Sequence, residues 1–171
     1  DGADVLVPTM FVLPNAPRDG IVLNLAEKRL YYYPSGGQQV VTYAISIGRE
    51  GWNTPLGSFY ITRKDKDPAW YPPASIHKER AAEGRSPLPA VVPAGPDNPL
   101  GQHALRLSAA GYLIHGTNKP WGLGMEVSHG CIRMYPENIA ELFPKVSVKT
   151  PVTIVDQPYK IGWRGQDLYL E

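Results

Sequence analysis

The stretch Ser128-His129-Gly130-Cys131-Ile132-Arg133-Met134 contains the only cysteine of the 171-residue chain. A lone cysteine cannot form an intramolecular disulfide, and such a residue is more often an inert buried thiol than a reactive group. Here His129 lies two positions before the cysteine and His115 lies 16 positions before it. Because an imidazole can serve a thiol as base or as cation, the stretch predicts that Cys131 is a nucleophile.

The same residues leave two histidines as candidates for the base. Side chains two positions apart on a strand share a face, so the pattern allows His129 as well as His115. Gly130 is expected to let the backbone pass close to a substrate, and the amides of the turn from Ser128 to Cys131 are the expected oxyanion donors. The Ser128 hydroxyl is expected to hold this turn or His129.

The composition is that of one globular domain with little net charge. Hydrophobic residues make up 43% and charged residues 19% of the chain, whose length suits a single core. The formal net charge of +1 gives no sign of a nucleic-acid partner, and no apolar run approaches the roughly 18 residues that span a bilayer. Because the chain starts at Asp1 without a leader, we expect a processed or trimmed product.

Short strands are predicted along most of the chain. The 17 glycines and 18 prolines favour frequent turns, and alternating or β-branched apolar residues between them favour strands. The predicted strands are Ile21–Leu25, Leu30–Tyr33, Val40–Ile47, Ser58–Arg63, Ala104–Leu107, Tyr112–Ile114 and Val152–Val155, with a terminal hairpin over Lys160–Leu170. A turn is predicted at Ser35-Gly36-Gly37, and helices over Ser75–Glu83 and Pro136–Phe143. The pattern predicts a mainly β fold with a closed or sandwich-like sheet.

The segment Asp67–Gly101 interrupts this pattern and is rich in proline. A loop of this length inside a compact domain is usually functional or disordered. We interpret the segment as a lid or a wall of a cleft, and a flexible surface excursion is the alternative. Trp70 and Tyr71 favour the lid, because exposed aromatic side chains seek contacts.

The pair His115-Gly116, followed at this distance by Ser128-His129-Gly130-Cys131, resembles the signature of the YkuD-type L,D-transpeptidases of bacterial cell walls. The resemblance extends to an opening hairpin over residues 20–33 and to the turn Asn53-Thr54-Pro55-Leu56-Gly57. A loop over residues 93–101 is similar to one in enterobacterial-type members of the family.

The resemblance implies how the chain is divided. It covers residues 20–156 and implies a β-sandwich or barrel-like catalytic domain with short helices and a long loop. Residues 1–19 are then expected to form an extended lead-in. Residues 157–171 are expected to form a hairpin extension that packs on the same domain.

The resemblance also implies acyl transfer between wall peptides. Cys131 would attack the carbonyl of meso-diaminopimelate in a donor tetrapeptide stem, expel D-alanine and hold the stem as a thioester. It implies that His115 is the base, oriented through its second ring nitrogen by a backbone carbonyl, and that His129 is a supporting residue. The acceptor would be another stem, giving a 3→3 cross-link, or the lysine of an outer-membrane lipoprotein. The resemblance further implies acylation by carbapenems and a periplasmic or cell-envelope location. No cofactor or metal is expected.

Several side chains are candidates for binding the donor peptide. A guanidinium is well shaped to hold a stem-peptide carboxylate, so Arg133 is the first candidate. An ion pair with Glu126, Glu137 or another acid is the alternative. Further candidates for the cleft are Gly116, Asn118, Trp121 and Trp70. No partner pattern surrounds His77 or His103, which are interpreted as surface or core histidines.

Three other functions share parts of the motif. The same residues would serve an L,D-carboxypeptidase that uses water as the acceptor. His115, His129 and Cys131 are legitimate zinc ligands, although their spacing fits no common zinc motif. A non-catalytic wall-binding module is the third alternative, and it would not need a reactive thiol.

Overall fold

A computed structural model describes residues 12–34 and 39–171 of the chain. The first 11 residues of the predicted lead-in and the predicted turn at Ser35-Gly36-Gly37 lie outside the described residues. No helix in the described part combines the length and the apolar character that a bilayer crossing requires.

The described residues form mostly short strands, which confirms the mainly β class. The strands are β1 (Gly20–Asn24), β2 (Arg29–Tyr33), β3 (Val41–Gly48), β4 (Gly57–Lys66), β5 (His103–Leu107), β6 (Leu113–His115), β7 (Glu126–Ser128), β8 (Ile132–Met134), β9 (Pro151–Val155), β10 (Ile161–Arg164) and β11 (Asp167–Leu170). The α-helices are α1 (Ala74–Ala82) and α2 (Pro136–Leu142), and 3-10 helices cover Pro120–Gly122 and Phe143–Lys145. Strands β7 and β8, which flank the cysteine, are absent from the sequence prediction.

Eight of these strands close into a ring. Neighbouring strands follow the order β2-β1-β9-β4-β5-β6-β8-β3, and a further pairing of β2 with β3 joins the two ends. Strand β7 adds to β3 outside the ring. Closure satisfies the backbone hydrogen bonds that an open sheet leaves at its edges, so of the two predicted arrangements the closed sheet is the one observed.

The core lies inside this ring and under α2. Inward side chains of the strands are fully buried, among them Ile45, Ile61 and Leu105. Pro136 occupies the first turn of α2, which suits a residue without an amide hydrogen, and the helix adds Ile139 and Leu142 to the core. Each such side chain contributes about 1.5–3 kcal/mol through burial.

The pairing of β6 with β8 determines which side chains leave the core. The two strands are parallel, with Ile114 opposite Ile132 and His115 opposite Arg133. Both isoleucines are fully buried. Because side chains alternate between the two faces of a strand, His115, Arg133 and the preceding Cys131 lie on the outer face of the ring.

The segment Asp67–Gly101 leaves β4 and returns to β5 at paired residues, since Lys66 lies opposite His103. It is folded around Asn98, which is fully buried. The Asn98 side-chain amide lies 2.8 Å from the Pro68 carbonyl and 3.1 Å from the Pro93 carbonyl, and its Oδ1 accepts the Leu100 amide at 2.9 Å. The predicted helix of this segment is α1.

Lys160, the residue before the terminal hairpin β10–β11, contacts the turn between β1 and β2. This lysine is buried, forms an ion pair with Glu27, and lies 2.9 Å from the Glu171 carboxylate. Its ammonium also donates to the Val12 carbonyl at 2.6 Å. The division of the chain at residues 19/20 and 156/157 stays a prediction.

Candidate active site

A cleft of about 260 Å³ opens where β6 and β8 meet the segment Asp67–Gly101. The motif contributes Ser128, His129, Cys131 and Arg133 to its lining, and β5 and β6 contribute Arg106, Leu113 and His115. The opposite wall comes from the long segment and includes Trp70, Tyr71, Pro73, Ser75, Ile76, Pro99 and Leu100. The fold thus brings both candidate bases, the thiol and the predicted lid into one place.

The turn that carries the thiol is held from within by Ser128. Its hydroxyl donates to the Cys131 carbonyl at 2.5 Å and accepts the Gly130 amide at 3.1 Å. Gly130 has φ +98°, and a Cβ there would come within 2.8 Å of the Tyr112 ring. Both facts require glycine at this position. The Gly130 amide is engaged by Ser128, so it does not face a substrate in this conformation.

A threonine holds the same turn from outside. Thr54 is buried, its hydroxyl donates to the Gly130 carbonyl at 2.9 Å, and it accepts the Gly48 amide at 3.2 Å. The turn from Asn53 to Gly57 therefore supports the turn from Ser128 to Cys131, which lies 76 positions away in sequence. We call the latter the nucleophile turn, after the predicted role of Cys131.

The Cys131 thiol is partly buried, and its Sγ lies 3.7 Å from the Gly111 carbonyl. Burial raises the pKa of the thiol, while the Leu113 backbone and the charges of Arg133 and Arg106 lower it by less. The net direction is upward. At neutral pH the resting group is therefore a thiol, and it needs a base in order to react.

His115 is 4% exposed, and its Nδ1 lies 2.6 Å from the Gly116 carbonyl. Since a carbonyl only accepts, Nδ1 carries the hydrogen and Nε2 keeps its lone pair. The pKa of His115 is lowered to about 4, mainly by burial and also by the charge of Arg133, while the carbonyls of Gly116 and Leu100 oppose the shift. The imidazole is thus neutral and able to accept a proton at neutral pH.

His129 is in a different environment. Its Nε2 lies 2.5 Å from Glu79 Oε2, on helix α1, and a carboxylate only accepts. The nitrogen therefore donates to Glu79, and Nη2 of Arg49 lies 3.3 Å from the same nitrogen. The ring also packs edge-on against Trp52, with centroids 4.7 Å apart. Burial lowers the pKa of His129, and the charges of Arg49 and Arg133 act in the same direction.

Arg133 has no carboxylate partner among the described residues. Its Nε is buried without a hydrogen-bond acceptor in that part of the chain, and Glu126 instead pairs with Lys28 at 3.2 Å. Burial lowers the pKa of Arg133. A second guanidinium, that of Arg106, lines the cleft with its Nε 2.7 Å from Asp65. The cleft therefore carries cationic charge beside the thiol.

Only one of the other residues predicted to bind the donor peptide lies in the described lining of the cleft. Trp70 lines the cleft, whereas Gly116, Asn118 and Trp121 are not part of its described lining, and Trp121 is 75% exposed. A substrate role for these three residues stays a prediction. Within residues 12–34 and 39–171, His115, His129 and Cys131 form no cluster that could hold a metal, which leaves the zinc alternative without support.

The two remaining histidines have separate surroundings. His103 packs against the Phe143 ring, with centroids 4.6 Å apart, and burial lowers its pKa. His77 lies on α1.

Four residues of the site were missed by sequence reasoning. They are Arg49, Thr54, Glu79 and Arg106, each of which contacts the motif or lines its cleft. Thr54 lay within a quoted motif, but nothing in that motif indicates which carbonyl its hydroxyl contacts. Nothing local distinguishes Glu79 from the other charged residues of α1.

Residues 18–154 match the profile of the YkuD family, the L,D-transpeptidase catalytic domain. The chain belongs to this family. It is 48% identical over 165 residues to the probable L,D-transpeptidase YcfS of Escherichia coli K12, an alignment that covers 94% of this chain and 51% of that protein. The chain thus spans about half the length of the curated relatives that it matches.

Solved L,D-transpeptidase structures share the fold. The Ldtfm–avibactam carbamoyl enzyme superposes with a TM-score of 0.64 at 23% identity, over 83% of this chain and 50% of that one. The NMR structure of the Enterococcus faecium catalytic domain acylated by ertapenem gives a TM-score of 0.58 at 25% identity, over 80% of this chain and 95% of that domain. The resemblance inferred from the motif is confirmed.

The buried neutral state of His115 predicts an acid-dependent loss of stability. Its folded pKa of about 4 lies below the unfolded value near 6.5, so the unfolded chain binds the proton more tightly. Between pH 6.5 and 4 this residue should remove up to about 3 kcal/mol from the free energy of unfolding. Denaturant titrations at several pH values measure the free energy of unfolding, which should fall more steeply with decreasing pH in the wild type than in His115→Gln. The same pH dependence in both proteins would contradict the assigned neutral state of His115.

Proposed function

We propose that this chain is the catalytic part of an enzyme that transfers peptidoglycan stem peptides through a thioester on Cys131. The observation that supports the proposal is the pairing of β6 with β8, beside which the Cys131 thiol and the His115 imidazole line the same cleft. A nucleophile and a base so placed are suited to acyl transfer.

In the acylation step His115 takes the proton of the Cys131 thiol as sulfur bonds to the meso-diaminopimelate carbonyl carbon. The Cys131 amide is the proposed oxyanion donor, because the Gly130 amide is bound to Ser128. Collapse of the tetrahedral intermediate breaks the bond to D-alanine, whose amine leaves with the proton from His115. The products are free D-alanine and a thioester.

The thioester is resolved by a second use of the same base. An acceptor amine attacks the thioester carbonyl and gives its proton to His115, and the leaving thiolate of Cys131 then recovers that proton. A stem-peptide amine gives a 3→3 cross-link, and the lysine of an outer-membrane lipoprotein gives an anchored product. Water in the same position gives the carboxypeptidase reaction.

The cationic charge of the cleft suits an anionic donor. Tetrapeptide stems carry carboxylates, and Arg133 offers a guanidinium without a carboxylate partner among the described residues. Arg106 extends the same positive wall, although Asp65 already pairs with its Nε. The two charges also lower the pKa of the Cys131 thiol, so donor binding and thiol activation depend on the same side chains.

We further propose that this enzyme works in the periplasm or cell envelope, where its wall-peptide substrate lies. Its match to an E. coli L,D-transpeptidase supports that location. Carbapenems are proposed inhibitors, since the related E. faecium domain is acylated by ertapenem. A nucleic-acid partner gains no support from a net charge of +1.

Replacements in the site should have unequal effects on stem-peptide transfer. Cys131→Ser should abolish it, because oxygen needs far stronger activation than sulfur. His115→Ala should lower the acylation rate by about 10²–10⁴, whereas His129→Gln should keep measurable activity. Mass spectrometry of defined muropeptide products, with and without lipoprotein, measures both rate and acceptor. Greater loss in His129→Gln than in His115→Ala would show that the two roles are reversed.

A carbapenem should acylate Cys131 once per chain. The strained lactam carbonyl presents the same kind of electrophile as the scissile amide, and the opened product stays attached as a thioester. Intact-mass analysis followed by peptide mapping should place the adduct on Cys131, and His115→Ala should form it slowly. An adduct on a serine, or one that persists in Cys131→Ala, would argue against the mechanism.

Loss of the Arg133 charge should weaken binding of charged donors most. Arg133→Met keeps much of the side-chain volume but removes the guanidinium, so the KM for the tetrapeptide donor should rise about tenfold or more. A donor with amidated carboxylates is the control, and its KM should change less. Equal effects on both donors would remove Arg133 from carboxylate recognition.

A further inference from the structure

Helix α1 lies on the wall of the cleft and adds no buried side chain to the apolar core. None of its side chains is buried, so hydrophobic packing does not explain its position. Ser75 and Ile76 nevertheless line the cleft opposite Cys131. Polar contacts are therefore the main candidates for what holds α1 beside the nucleophile turn.

The carboxylate of Glu79 makes the contacts that connect α1 to that turn. Its Oε2 accepts His129 Nε2 at 2.5 Å, and its other oxygen forms an ion pair with Arg49. Arg49 directly follows β3, and its backbone amide donates to the Ser128 carbonyl at 3.0 Å. Both partners of Glu79 thus belong to the framework of the nucleophile turn.

The environment of these contacts makes them effective. The side chains of Glu79 and His129 are 26% and 25% exposed, so water screens them only in part. Hydrogen bonds to an ionised carboxylate are stronger than neutral ones. Glu83, which directly follows the same helix, offers a contrast: its carboxylate pairs with Arg85, two positions away, and both side chains are largely exposed. Its charge is also the weakest of the influences on the pKa of His129.

We propose that Glu79 is a positioning residue that acts through His129 to hold α1 against the nucleophile turn and thereby forms the donor-binding wall of the cleft. This inference rests on the proposed function, because the bound donor is a stem peptide. It also gives His129 a specific task. The residue connects the wall to the nucleophile turn, and it leaves proton transfer to His115.

The identity of residue 129 should then decide whether Glu79 matters. The side-chain amide of His129→Gln can still donate to a carboxylate, whereas His129→Leu cannot. In a protein that already carries His129→Gln, Glu79→Ala should change the docking of α1 and the donor KM as much as it does in the wild type. Its effect should be at least threefold smaller in the leucine background, because only the Arg49 pair remains to be lost.

Three measurements on the full chain test the proposal. Hydrogen exchange of the peptide that covers residues 74–82 reports whether α1 is docked, and it needs no substrate. The kcat and KM for a defined tetrapeptide donor report whether the wall of the cleft still binds the donor. The rate of Cys131 alkylation by iodoacetamide reports access of a small reagent. Glu79→Ala and Glu79→Gln are the test variants, and Glu83→Gln is the matched control.

We expect Glu79→Ala to speed exchange of residues 74–82 and to raise the donor KM, each by about tenfold. Glu79→Gln should have a smaller effect, kcat should change less than KM, and alkylation should not slow. Glu83→Gln should match the wild type in all three measurements. Unchanged exchange in Glu79→Ala, or the same KM increase in Glu83→Gln, would overturn the inference.

The outcomes separate this inference from the proposed function. If the wild type does not process the stem peptide, the proposed function fails, and the donor-wall role of Glu79 fails with it, even where exchange shows α1 to be docked by Glu79. If the peptide is processed but exchange and KM do not respond to Glu79→Ala, the positioning role alone is wrong.

Discussion

The parallel pairing of β6 with β8 is the constraint on which the site depends. Ile114 and Ile132 face each other in the core, and the strand alternation then forces His115 and Cys131 to the outer face. Neither functional side chain is free to turn inward without exposing an isoleucine. Core packing therefore also determines where these two side chains lie, on a strand pair that belongs to the closed ring.

The electrostatics of the site keep both Cys131 and His115 uncharged at neutral pH. Burial raises the pKa of Cys131 and lowers that of His115, so each favours its uncharged form. The charge of Arg133 acts on both groups, since it lowers the pKa of each. An anionic donor bound at Arg133 would offset that charge and make His115 a stronger base. Under the proposed function, donor binding and proton transfer would therefore be linked through Arg133.

The sequence could predict the family and most strands, because these depend on local residue types and alternation. The role of Cys131 as the nucleophile stays a prediction. Strands β7 and β8 were missed, since three residues are too few to show a period. The contacts of Glu79 with His129 and of Thr54 with Gly130 span 50 and 76 positions, so no local pattern reveals them. The length and prolines of Asp67–Gly101 predicted a long loop in this segment. The hydrogen bonds of the buried Asn98 side chain depend on contacts made only in the folded chain.

The long segment enters and leaves the ring at two residues that face each other, Lys66 and His103. Its ends therefore stay together whatever its length, and lengthening such a loop costs little free energy. The ring carries the thiol and the imidazole, so the segment can vary without changing where these two groups lie. Grafting the corresponding insert from another family member between these two residues should transfer donor preference and leave the acylation chemistry in place.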